Sequence, residues 1–83
     1  MKNELYAKGF DNASLASTDY VSIYPGRKIA GVIVNQSDAP IDLKITDELG
    51  NVDVYSLDAG YHPISCSKIW KTGSSVTSII VWY

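Results

Sequence analysis

Apolar and polar residues alternate along much of this chain with a period of two, the repeat of a strand half-buried in a sheet. The alternation is clearest at Ile41-Asp-Leu-Lys-Ile-Thr46, where Ile41, Leu43 and Ile45 share one face and Asp42, Lys44 and Thr46 the other. Asp47-Glu-Leu-Gly-Asn51 then turns the chain, with Gly50-Asn51 suited to the positive φ of a hairpin. The return strand, Val52 to Ser56, offers Val52 and Val54 inward and Asp53 and Tyr55 outward. Leu57-Asp-Ala-Gly60 is a second turn, and the runs from Tyr61 to Trp70 and from Ser75 to Tyr83 supply further strands around the polar corner Lys71-Thr-Gly-Ser-Ser75.

The other segments are read the same way. Asp19 to Tyr24 alternates, with Tyr20, Ser22 and Tyr24 opposite Val21 and Ile23, and Pro25-Gly26 ends it. Ile29-Ala-Gly-Val-Ile-Val34 is apolar on both parities, which predicts a central strand, and Gly31 within it predicts a bulge or a close backbone approach. Asn35 to Pro40 is a loop by composition. Pro63 has no amide hydrogen, so the Tyr61 end of its run belongs at an edge or a bulge. Ile64, Cys66 and Ile69 cannot share one face of a regular strand; a bulge near Ser67-Lys68 would reconcile them, and the alternative is that Ile69 faces a second layer. In the last strand Ile80 and Trp82 point one way and Ile79, Val81 and Tyr83 the other, so it must be central in its sheet or covered by another subunit. Met1 to Ser17 carries no firm pattern and reads as an N-terminal arm with at most a short strand or single turn. The expected architecture is all-β: a small antiparallel β-sandwich or barrel of about six to seven short strands over residues 18–83, preceded by the arm at 1–17.

Size and charge narrow the function. A chain of 83 residues is one domain with a thin core. The net charge is −2, and the seven basic residues are scattered with only Arg27-Lys28 adjacent, so the stripe that nucleic-acid binding needs is missing. No apolar leader follows Met1-Lys-Asn-Glu-Leu5, and the longest apolar run, Ile79 to Tyr83, is far short of a membrane span. Neither a secretion signal nor membrane residence is expected.

Candidate chemistry is sparse. Cys66 is the single cysteine and sits among apolar residues, as a small buried side chain would. His62, the single histidine, lies over 12 Å of extended chain from it, roughly, and can build neither a zinc site nor a triad with it. Asp47, Glu48, Asn51 and Asp53 cluster around Gly50, but without the spacing or closing glutamate of a calcium loop they read as a solvated hairpin tip. No serine stands in a Gly-x-Ser-x-Gly elbow. The expectation is no enzyme, no cofactor and no metal. The aromatics are richer: six tyrosines, two tryptophans and a phenylalanine. Tyr20, Tyr24, Tyr55 and Tyr61 fall on outward parities or turns, which fits half-buried strand residues, a protein interface or a sugar-stacking platform.

The strand Ile41 to Thr46, the tip Leu49-Gly-Asn51, the strand Val52 to Ser56 and Ala59-Gly60 form the first half of a longer pattern. Tyr61-His-Pro-Ile64, the corner Lys68-Ile-Trp-Lys-Thr-Gly73 and the closing strand Val76 to Tyr83 complete it. This half of the chain resembles small structural proteins of tailed bacteriophages, of the head decoration or cement kind. The resemblance implies a virion component made in the host cytoplasm, multimeric (a trimer in the preferred form) and bound to other virion proteins such as the major capsid protein. Tyr24, Tyr55, Tyr61, Ile80, Trp82 and Tyr83 are the expected interface residues. The rival expectation is a small β domain that binds carbohydrate, or a single host partner, and the carbohydrate form predicts an exposed row of aromatics flanked by Asp and Asn.

Overall fold

The computed structural model describes residues 9–24 and 26–83. Among these residues there are eight strands and no helix: β1 (Phe10–Ser14), β2 (Tyr20–Val21), β3 (Gly31–Val34), β4 (Ile41–Asp47), β5 (Val52–Leu57), β6 (Gly60–His62), β7 (Cys66–Ile69) and β8 (Ser78–Trp82). They form two four-stranded antiparallel sheets. Sheet A has the order β1-β8-β3-β6 and sheet B the order β2-β7-β4-β5. Two small sheets packed face to face make a β-sandwich, as the short alternating runs predict. Among the described residues, no helix is long and apolar enough to cross a membrane.

The core lies between the sheets. Val32, Val34, Ile79 and Val81 come from sheet A, and Leu43, Ile45, Cys66 and Ile69 from sheet B. β3, expected to be central, and β8, expected to be central or covered by another subunit, are the inner pair of sheet A. The bulge is also where the parity argument put it. Thr46 pairs with Lys68 and Asp47 with Cys66, so Ser67 is the extra residue, and Cys66 and Ile69 both reach the core.

Several expectations need correction. Among the described strands only β4 and β5 form a hairpin. The turn at Gly60, with its φ of 115°, carries the chain from sheet B to sheet A, so the strands from Ile41 onward do not follow one another within one sheet. The run Tyr61 to Trp70 is two strands in different sheets, broken after His62 where Pro63 has no hydrogen to donate; the piece before the break, β6, is an edge as expected. On β5, Val52 and Val54 face outward. Leu43 stands opposite Tyr55 and Ile41 opposite Leu57, and directly opposed residues share a face, so Tyr55 and Leu57 are on the inner side. Tyr20, read as outward, is buried, and its strand stops at Val21 because the Ser22 hydroxyl bonds the carbonyls of Tyr24 and Arg27.

The expected arm is partly body. Residues 1–8 lie outside the described residues. From Phe10 to Ser14 the chain is an edge strand on β8, with Ala13 and then Leu15 buried in the core.

A polar relay joins the sheets at one end. Tyr20 donates its hydroxyl hydrogen to Asp11 Oδ2 at 2.7 Å, so Tyr83, 2.6 Å away, donates to the Tyr20 oxygen and itself accepts the Ile23 amide at 3.2 Å. Burial, then the bonds to Tyr83 and Asp11, raise the Tyr20 phenol well above its ordinary range and hold it neutral. The β4–β5 hairpin is tied at its tip: Asp47 Oδ1 accepts the amides of Leu49 and Asn51, both at 2.9 Å, and Gly50 takes a φ of 89°.

That tip gives a pH prediction. The Asn51 amide, with those of Leu49 and Gly50, holds the Asp47 carboxyl below its ordinary value. A carboxyl depressed in the folded state takes up protons more readily when unfolded, so its stabilisation is present above about pH 4 and lost as the pH falls through the folded value. Asp47→Asn keeps the acceptor oxygen and removes the charge. Urea titrations between pH 2 and 6, roughly, should show a shallower loss of stability toward acid for the variant than for the wild type.

Candidate functional site

Strand alternation places Phe10, Asn12, Ile33, Tyr61, Ile80 and Trp82 on the outer face of sheet A. Register arranges them in rows: Phe10 opposite Trp82 and Trp82 opposite Gly31, then Asn12, Ile80, Ile33 and Tyr61 in succession across all four strands. Gly31 gives this face its shape. A Cβ there would collide with Cη2 and Cζ2 of Trp82 and stand 2.7 Å from the His62 carbonyl oxygen. Cη2 and Cζ2 of the indole therefore occupy the space over β3 that a side chain at 31 would fill; of the two readings of that glycine, a bulge or a close backbone approach, the His62 carbonyl answers to the second. Its ring is 5.3 Å from that of Tyr61, inclined by 41°. Phe10 and Tyr61 are 65% and 68% exposed while Trp82 between them is half-buried, so the three rings form a shallow aromatic floor.

Neutral polar groups border that floor. Asn12 lies one row from Phe10, and Ser14 and Ser78 face each other beyond it. Past Asn12, a cleft of about 230 Å³ runs to Asn35 and Asp38. The outer positions of the four strands carry no charged side chain. Sheet B differs: on its outer face Trp70 donates its indole hydrogen to Thr46 at 2.9 Å, Lys68 Nζ stands 3.7 Å and Lys44 Nζ 5.0 Å from the Trp70 ring, and Lys68 pairs with Asp19 at 3.4 Å. Asp19 is held below its ordinary value, first by the Lys71 amide and further by the two lysine charges.

A second surface is the β5 edge. This six-residue strand ends sheet B, and among the described residues no strand pairs with its outer side. Val52, Val54 and Tyr55 are 44%, 53% and 38% exposed. Opposite its inner side, sheet A offers only the three-residue β6, and the corner opens into a cleft of about 470 Å³ lined by Tyr55, Leu57, His62, Pro63 and Ile64.

The six expected interface residues are thus divided. Tyr61, Ile80 and Trp82 come together on sheet A, and Tyr55 stands at the open corner. Tyr24 is 42% exposed at the opposite end and meets Tyr83 edge-on at 4.7 Å. Tyr83 is not a surface residue: it is 2% exposed, with its hydroxyl in the relay to Tyr20. Phe10 and Asn12 were missed, because they fell in the segment read as an arm; the weak alternation of Phe10-Asp-Asn-Ala-Ser14 was the available signal.

His62 Nε2 lies 2.7 Å from the Asp58 carbonyl oxygen. Among the described residues no three His, Cys, Asp or Glu side chains are grouped to hold a metal ion. Burial pushes the Cys66 thiol up to about 12. A thiol so placed should not react with an aromatic disulfide reagent at neutral pH while the protein is folded, and should react fully once urea unfolds it; the absorbance of the released thiolate reads both. No protein-family model, no curated protein and no solved structure matches the chain.

Proposed function

We propose that the chain is a non-enzymatic structural subunit of a bacteriophage particle, a multimeric head decoration, cement or head-proximal protein that grips other virion proteins. The β5 edge carries this reading. A six-residue edge strand with two exposed valines and a tyrosine is a template for pairing with another chain, and Asp53, on the inner side, is its one charged side chain. Val52 and Val54 bear no charge that would repel a neighbour. A head-to-tail contact from this edge to a different surface of the next copy closes a ring if the rotation is right, a trimer being the simplest with that symmetry. The resemblance of residues 41–83 to phage head proteins supports the virion setting, in which the main shell protein is the partner.

The mechanism is mechanical. Each subunit covers a junction between shell proteins and adds apolar contact that must be broken before the shell opens. The test is the solution mass by light scattering over a dilution series, together with a search for the chain in purified particles. The expected result is a trimer, present in particles. Val54→Lys, an exposed change on the edge, should give a monomer with an unaltered circular dichroism spectrum. A dilution-independent wild-type monomer that is also absent from particles would overturn the proposal.

A further inference from the structure

We infer that the outer face of sheet A is a carbohydrate platform, on which a neutral oligosaccharide lies across the strands with one sugar ring stacked on Trp82 and its neighbours against Phe10 and Tyr61. This surface is separate from the β5 edge, and the inference does not rest on the multimer.

The shape of the floor carries the argument. A pyranose has a broad face of C–H groups and a rim of hydroxyls. The C–H face is complementary to the electron-rich face of an aromatic ring, and the rim to neutral donors and acceptors. Gly31 leaves the space over β3 open, and Cη2 and Cζ2 of the Trp82 indole fill it, so the ring reaches across the sheet toward Tyr61. Tyr61, inclined by 41° at 5.3 Å, makes the second wall of a shallow trough, and Phe10 extends the floor to the far edge of the sheet. From β1 to β6 is three strand spacings, about 14 Å, room for a short oligosaccharide and not for a single sugar.

Charge and area select the ligand class. The outer strand positions hold no ionic group and the cleft beyond them adds only the Asp38 carboxylate, so an anionic ligand would lose water and gain no counter-charge. Asn12 can donate and accept toward vicinal hydroxyls, and the cleft beyond it offers the Asn35 amide and the Asp38 carboxylate to the next sugar unit. The face covers on the order of 200 Å², from the strand spacing and the rise between Phe10 and Ser14. The platform is of the right extent for a short saccharide.

The intact protein is screened on a printed array of neutral oligosaccharides. Each positive is then titrated by tryptophan fluorescence in a Trp70→Phe background, so that Trp82 alone reports. Saturable binding of at least one glycan is expected, weakened about tenfold by Tyr61→Ala and by Phe10→Ala. Both side chains are more than half exposed, so these variants keep the fold, which circular dichroism verifies. Failure to bind any glycan on the array overturns the inference, as does binding that neither variant alters. A fall in solution mass in Phe10→Ala or Tyr61→Ala also overturns it, because the face would then be covered by protein. The β5 proposal is read from Val54→Lys instead, so either can fail without the other.

Discussion

Gly31→Ala is expected to destabilise the fold by about 3 kcal/mol, far more than one added methyl group ordinarily costs at a surface. The φ of Gly31 is not in the left-handed region, so the backbone there accepts alanine. The cost is steric. The new methyl would overlap Cη2 and Cζ2 of Trp82 and press on the His62 carbonyl oxygen at 2.7 Å. The ring can swing outward, at the loss of its contact with Tyr61, but the carbonyl belongs to β6 and is held by the β3–β6 pairing. Relief therefore means prising the edge strand away. For a domain of this size the melting temperature should fall by about 15 °C. The double variant Gly31→Ala/Trp82→Ala removes the ring overlap and leaves the carbonyl contact. It should be less destabilised than the sum of the single changes by about 1–2 kcal/mol, a coupling that scanning calorimetry of all four proteins would measure. Additive losses would mean that the indole does not occupy the space above Gly31.

Leu43→Ala should cost about 3–4 kcal/mol. Leu43 is fully buried on β4, an inner strand of sheet B, and both sheets are only four strands wide. Neighbouring side chains cannot collapse into the space without breaking the ladder to β5 or β7, so the cavity persists. Total stability for a chain of this length is on the order of 4–12 kcal/mol, so this one deletion removes a large share of it. Urea unfolding should show a lower midpoint at an unchanged slope. Val54→Ala, on the same hairpin but facing outward, should change the stability of the isolated subunit by about 0.5 kcal/mol or less. Equal losses at the two positions would mean that the inner and outer sides of the β4–β5 hairpin are reversed.

That comparison bears directly on what could be read in advance. The alternation of Ile41, Leu43 and Ile45 was legible because β4 is an inner strand, covered by sheet A on one face and open on the other, so its polarity follows its environment residue by residue. β5 was misread because it is an edge that overhangs the shorter sheet A. Its inner side is only partly covered, so Tyr55 and Asp53 stand there without penalty, and the valines could face out. The Ser67 bulge was legible from a parity conflict alone, since Cys66 and Ile69 demand the same side. For the aromatic face, the parity of Ile80 and Trp82 was readable, but Phe10 was not, because a single weak alternation on an edge strand resembles loop.

By itself the sequence determined the all-β class, the central place of β3, the hairpin at Gly50 and the buried cysteine, and it narrowed β8 to a central or subunit-covered strand and Gly31 to a bulge or a close approach. Each follows from local steric rules or from the two-residue period, which act within a few residues of chain. Only the tertiary structure decided which strands share a sheet, because that depends on pairings far apart in sequence, such as β1 with β8. The same long-range pairing sends Tyr83 into the core beside Tyr20 and brings Phe10, Trp82 and Tyr61 onto one face. Such a surface is written in the order of the strands, and no stretch of the chain contains it.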